Sequence, residues 1–458
     1  MPAGVRHVNY NSALARSSLS PGSQVQVPLP DGTRVTLNFE KSSRNPSGSM
    51  TWVGQLAGSP KPYKAIITDD GENVFGRIVT PEGEYLLRTV DGVQQLLDPR
   101  TAGLEVLPFV NDEAVPPVRS SRSENQRVAK SIPASESAGP EEMATIDVLL
   151  AYSAGLAEAL GSGLQTRLDY LVALANQAYE DSGIHQRIRI VHSVELDYSD
   201  TSSTNGTALN DITPTYSTPS SVSVLHSLRE TYGADLVALI RQFRYPEQGG
   251  GCGIAWVLGS GNDGTVSGLG QLGYSVTSDG SDGFYFCSDL TLAHELGHNM
   301  GSSHDRAHTN ISGVFPYSYG HGYEDDFGTV MSYIRPEVAV FSNPSIDCNG
   351  LPCGIAHPDP QSADNARSIN NTRFEVAAFR ETAVPESCTP ANTLTLEYAS
   401  VSGMTTETAC AIVAGPSYTI SSSADVTFNA NASITLRPGF QVEYGGQFTA
   451  TVNPQQMP

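Results

Sequence analysis

No cysteine precedes residue 252, no apolar run approaches the roughly 18 residues that cross a bilayer, and cations are scarce. Each absence excludes something. Without thiols upstream of residue 252, no thiolate from the N-terminal half can ligate or block a metal. Without an apolar span, these residues hold no helical membrane crossing. With 26 Lys and Arg against 48 Asp and Glu the formal charge is −22, which repels polyanions and disfavours nucleic acid or an anionic membrane as the main partner. The opening MPAGVRHVNYNSALARSS has no apolar h-region, so a leader is expected upstream of the given start.

What is present reads as folded and multi-domain. At 458 residues the chain exceeds what one core usually organises, and 43 Gly with 29 Pro point to many turns and short strands. The six cysteines fall in sequence as Cys252 and Cys287, Cys348 and Cys353, Cys388 and Cys410. An even count in an acidic, Ser/Thr/Gly-rich chain favours disulfides and an oxidising compartment. Nearest-neighbour pairing is expected among the 15 connectivities that six cysteines allow; free buried thiols in a cytosolic protein are the alternative.

The pattern divides the chain into four stretches. Residues 1–110 carry a meander of short strands (TRVTLNF, MTWVGQL, KAIIT, NVFGRIVT, EYLLRTV) between PDG, DDGEN and PEG turns, an all-β unit. Residues 111–143 lose apolar periodicity and are rich in Ser, Glu, Pro and Arg, with Arg119, Arg122, Arg127 and Lys130 among them. That composition marks a flexible, protease-accessible linker. Residues 144–385 alternate strands and helices: TIDVLLAYS, a helix with Leu164, Leu168, Leu171, Ala175 and Ala178 on one face, RIRIVHSVEL, a helix near 220–232, then ADLVALIRQ. The Gly-rich stretch after it should supply loops and an edge strand, not a phosphate cradle, because GSGNDG lacks the strand and helix context. Residues 386–458 return to short β segments with a period under ten residues, which suits stacked strands in a small all-β module.

The chemistry concentrates at HELGHNMGSSHD. A helix puts residues four apart on one face, so His294 and His298 can point at one ion. Gly301 allows the helix to end in left-handed conformation and the chain to bring His304 in as a third nitrogen. Three histidines and an open position make a catalytic rather than a structural zinc site, with Glu295 as the base that takes a proton from water. With only 10 His in the chain, chance coincidence of these five positions arises in roughly one such sequence in tens of thousands.

HExxHxxGxxH resembles the metzincin metallopeptidases, and GTVMSY resembles their Met-turn. The resemblance implies an α/β (α+β) catalytic domain, Met331 beneath the metal, and Tyr333 either near the metal or oxyanion or as a packed wall residue. Asp305 directly after His304 resembles the reprolysin-like branch, where its role is structural. The stretch from 144 to 381, including CGIAWVLG and FSNPSIDCNG, is most similar to the peptidyl-Asp metalloendopeptidase group. That implies an Asp or Glu preference after the scissile bond, with Arg335 as the cation that grips the carboxylate or, alternatively, as a surface arginine paired with Glu337. Arg367 is the reserve. Residues 24 to 100 resemble a propeptide, expected to act as the chain's own inhibitor through a carboxylate, a histidine such as His7, or steric cover.

The expectation is therefore a secreted, zinc-dependent endopeptidase made as a proenzyme and acting as a monomer on protein or peptide substrates. The substrate would extend along an edge strand near Ile254 to Leu258. Calcium could bind at Glu324, Asp325 and Asp326, although the spacing is not that of an EF-hand. The rival is an inactive or weakly active metallopeptidase-like binding protein that works through its C-terminal module.

Overall fold

In the computed structural model the described residues are 4–8, 19–45, 47–90, 92–107, 110–117, 141–216, 219–383 and 393–452. The linker cations Arg119, Arg122, Arg127 and Lys130 lie outside them, as does Cys388. One compact unit holds everything described up to Arg380 apart from 231–233, so the N-terminal β region and the catalytic region pack as one body; a second begins at Glu381.

The N-terminal meander forms eight antiparallel strands: β1 (Val5–His7), β2 (Gln24–Pro28), β3 (Arg34–Arg44), β4 (Met50–Leu56), β5 (Lys64–Asp69), β6 (Val74–Thr80), β7 (Gly83–Val90) and β8 (Val93–Leu97). Their order is β1-β8-β7-β6-β5-β4-β3-β2. Side chains alternate across each strand. Trp52, Ile67 and Ile78 bury in the sheet's own core, whereas Val53, Ile66 and Phe75 join the catalytic core. Burial on both faces explains why β5 and β6 are apolar without alternation. The seam also carries charge. Lys64 is buried, 2.8 Å from Asp181 and 2.7 Å from Glu40.

The catalytic sheet follows two short strands, β9 (Glu105–Val106) and β10 (Glu113–Ala114), and comprises β11 (Ala144–Ser153), β12 (Gln186–Leu196), β13 (Leu236–Gln242), β14 (Gly253–Trp256) and β15 (Tyr274–Asp279). Including β10, the order is β10-β14-β15-β13-β11-β12; β11, β12, β13 and β15 are parallel to one another, while β14 and its parallel partner β10 run the opposite way. Helices α1 (Ala154–Leu160), α2 (Leu164–Asp181), α3 (Asn205–Ile212) and α4 (Val224–Tyr232) accompany it. α2 buries Leu168, Leu171, Ala175 and Ala178, as its periodicity predicts. α3 has no counterpart in the sequence reading. The expected linker also begins too early, because Glu113 and Ala114 pair with Ala255 and Trp256 inside the sheet.

Beyond the sheet come β16 (Tyr285–Phe286), which pairs with β9, then α5 (Thr291–Asn299), the hairpins β17 (Gly322–Tyr323) with β18 (Phe327–Gly328) and β19 (Asp347–Cys348) with β20 (Leu351–Pro352), and α6 (Asn365–Val376). Disulfides join Cys252 to Cys287 and Cys348 to Cys353. Cys410 is disulfide-bonded as well.

The second unit is all-β, with β21 (Thr393–Leu396), β22 (Ala399–Val401), β23 (Met404–Ala414), β24 (Tyr418–Ile420), β25 (Asp425–Leu436), β26 (Phe440–Val442) and β27 (Gln447–Val452). Its strands pair in parallel, with Ala399 opposite Tyr418 and Tyr418 opposite Phe440. The structural repeat is thus about twenty residues, each rung carrying more than one strand, and not the period under ten that the segments suggest.

Candidate metal centre

α5 is buried along its whole length, so the polar residues of its motif face protein rather than water. Gly297 is small for a reason: a Cβ there would lie 2.6 Å from Met331 Sδ, which places Met331 directly beneath the helix. At the end of the helix Gly301 has φ +91°, and a Cβ would meet Val314 at 2.6 Å. Only glycine suits that turn. The turn carries the chain to His304.

His294, His298 and His304 converge. Their Nε2 atoms approach to 3.1 Å between His294 and His304 and 3.1 Å between His298 and His304. Each Nδ1 faces a carbonyl: Val330 at 2.7 Å, Ser302 at 2.9 Å and His308 at 3.3 Å, respectively. Donation from Nδ1 leaves a lone pair on each Nε2, and three such lone pairs meeting in a buried space repel unless a cation joins them. The donor set fits zinc.

A fourth ligand-type atom stands there. Asp112 Oδ1 lies 2.6 Å from His304 Nε2, 3.6 Å from His294 Nε2 and 3.5 Å from His298 Nε2. These four residues form the one metal-ligating cluster found among the described residues. Asp112 belongs to the segment that ends in β10, held by bonds from Ala255 N to its carbonyl and from Val257 N to the Ala114 carbonyl. Its neighbour Glu113 is also buried and accepts from Ser303 Oγ, from His304 N at 3.1 Å and from Thr309 Oγ1 at 2.7 Å. Neither acid was identified individually from sequence. The only available signal was an acidic pair, NDEA, at the edge of a linker, where such residues are usually solvated. His7, the named alternative, lies exposed on β1, away from this cluster.

Glu295 is fully buried and its two oxygens meet no donor among the described residues. Burial, with the Asp112 carboxylate adding to it, holds its carboxyl well above the ordinary range. A Cβ on Gly253 would come within 2.1 Å of Oε1, so glycine in β14 makes room for the base. Tyr333 stands edge-on to His304, ring centroids 4.8 Å apart, and its hydroxyl donates to Asp112 Oδ2 and to the Val110 carbonyl at 3.2 Å. Asp305 accepts from Tyr333 N at 3.0 Å and Ser332 Oγ at 3.2 Å, and lies 2.8 Å from His308 Nδ1. It therefore ties the loop after His304 to the turn that carries Met331.

Arg335 and Glu295 line one small cavity of about 50 Å³ together with Thr291, His294 and Glu337. Arg335 Nη1 is 3.1 Å from Glu337, which a second arginine, Arg77 of the N-terminal sheet, approaches at 3.7 Å. Arg367 is elsewhere, over the Tyr317 ring at 4.4 Å. Ile254 is partly buried in β14 opposite Val276, and the bonds to the 112–114 segment come from its neighbours Ala255 and Val257. The triad Glu324, Asp325 and Asp326 forms the exposed turn between β17 and β18.

Comparison with known proteins agrees with this geometry. Residues 142–358 match the metallo-peptidase family M12B, reprolysin-like, and residues 2–98 match a BamI lipocalin-like domain. A peptidyl-Asp metalloendopeptidase of Pseudomonas aeruginosa is 33% identical over 272 residues, 54% of this chain and 42% of that protein. The chain thus spans less than half of that relative. Another of the same name, from Stenotrophomonas maltophilia, is 28% identical over 370 residues, 76% of this chain and 81% of that protein. Among solved structures, metalloproteinase-II from Bacteroides fragilis aligns with TM-score 0.39 and 10% identity over 64% of this chain and 84% of that one, too low to carry an argument. Residues 142–358 thus match a reprolysin-like metallopeptidase domain, and the chain is related to proteins named peptidyl-Asp metalloendopeptidase.

Proposed function

We propose that the chain is a secreted zinc endopeptidase made as a latent precursor, with Glu295 as its general base and Asp112 as the group that blocks the metal's open position. The observation that carries this reading is the convergence of three buried imidazole nitrogens on the Asp112 carboxylate, beside a buried Glu295 that no donor among the described residues satisfies. His294, His298 and His304 would hold the ion; zinc supplies a Lewis acid that brings the pKa of water toward about 7 and polarises a carbonyl. Glu295 then takes the proton of the attacking water and delivers it to the leaving amine. Tyr333, released from Asp112 when the 110–117 segment departs, would donate to the oxyanion.

The same segment outlines the substrate's place. It borrows the edge of β14, so a peptide taking its position would be held by the Ala255 and Val257 amides. Disulfides Cys252–Cys287 and Cys348–Cys353 favour an oxidising, extracellular setting. An Asp or Glu preference after the cut bond is supported by Arg335 in the cavity beside Glu295 and is in keeping with the word peptidyl-Asp in the name of the relatives. Cleavage-site mapping in a mixed peptide library tests it. Enrichment of acidic residues after the cut, reduced in Arg335→Ala, is expected. Cleavage without that enrichment would remove the specificity and leave the peptidase.

A further inference from the structure

Glu113 sits in a built carboxylate site. Ser303 Oγ and the His304 amide reach one oxygen, Thr309 Oγ1 reaches the other, and His304 Nδ1 is 3.6 Å from the second. Glu113, Ser303 and His304 are buried and Thr309 is half-buried, and neutral hydroxyl and amide donors grip the carboxylate within hydrogen-bond distance. Such bonds to a charged acceptor are stronger than neutral ones, and a group of matching shape without charge loses them. The donors belong to the loop that follows the second histidine, so they remain when the 110–117 segment leaves.

The place of this site relative to the metal follows from register. Asp112 stands at the three histidines, and Glu113 is one residue further toward Trp256, because Glu113 pairs with Ala255 and Ala114 with Trp256 in parallel. The Arg335 cavity lies on the opposite side, among Gly251 and Cys252. A peptide laid antiparallel to β14, the somewhat better-bonded pairing, reverses the chain direction. Its residue at the Glu113 position then precedes the scissile bond rather than follows it.

We propose that Ser303, the His304 amide and Thr309 form a second acidic subsite of the substrate groove, which selects Asp or Glu on the amino side of the cut bond. This rests on the reading that substrate replaces the 110–117 segment along β14. It is separate from a preference after the bond, which belongs to the Arg335 side.

The test is cleavage-site mapping with the full chain after it has been cut within 118–140, alongside Thr309→Val and Thr309→Ser, with zinc content measured in each. Enrichment of Asp and Glu at the first or second position before the cut, lost in Thr309→Val and kept in Thr309→Ser, is expected. Should Thr309→Val not retain zinc, matched peptides with Glu or Gln at that position decide on the wild-type protein. The Glu peptide should have a kcat/KM about tenfold higher or more. Cleavage with no acidic enrichment before the bond, equal turnover of the Glu and Gln peptides, or enrichment that Thr309→Val leaves unchanged would overturn the subsite. Absence of any cleavage would instead count against the peptidase reading.

Discussion

Replacing Glu295 by Gln keeps the side chain's volume in a space that Gly253 leaves open, and removes only the base. Hydrolysis should fall by at least about a hundredfold, as loss of a general base does, while zinc measured by atomic absorption stays near one per chain. Activity within tenfold of wild type would remove Glu295 from that role. Asp112 is the converse case. Asp112→Ala in the full-length chain takes away the carboxylate beside three imidazoles, so the uncut protein should gain peptide hydrolysis. An uncut Asp112→Ala protein as silent as wild type would show that the segment blocks by bulk alone. The approach of His294 and His298 was legible because a helix repeats every 3.6 residues and puts residues four apart on one face. Asp112 was not. Its partners lie nearly two hundred residues away, and one acid in an acidic linker has no local signature.

Elements were legible where burial imposed a period. α2, β3 and β7 are written in their apolar spacing, whereas α3, with the sequence NGTALNDI, is too polar and short to announce itself. β10 is two residues long and exists because β14 offers an open edge. One element carries a pH dependence. Asp235, just before β13, is buried and accepts from Asp147 N at 2.8 Å and Arg380 N at 3.1 Å. Burial outweighs those bonds and pushes its pKa up to about 7. The folded state therefore holds a proton that the unfolded chain loses above the ordinary carboxylate pKa. Stability from this group is present at low pH and declines as pH rises from about 4 through about 7, by on the order of 4 kcal/mol. Asp235→Asn cannot titrate, so its Tm should fall less between pH 5 and pH 8 than that of wild type. Parallel Tm curves for the two proteins would contradict this origin.

At the scale of the whole molecule, the N-terminal sheet is joined to the catalytic region by a mixed apolar and charged seam, and the 110–117 segment threads from it into the cleft. Buried pairs such as Lys64–Asp181 do not let one partner leave without cost, about 3–5 kcal/mol when a single member is removed. Cutting within 118–140 should therefore raise activity by freeing the segment's tether, while the sheet stays associated on gel filtration. Equal activity before and after the cut would mean that residues up to 117 do not inhibit. The division into β, α/β and β parts was readable from composition and period. Packing of the first two as one body was not, because a two-sided strand looks the same whichever partner covers its second face. The most direct measurement is metal dependence of hydrolysis by the linker-cut chain: strip it with a chelator, then add zinc back. Loss of peptide cleavage on stripping and recovery with one zinc per chain is the predicted result. Cleavage that survives complete removal of metal would contradict the assignment of His294, His298 and His304 as its zinc site.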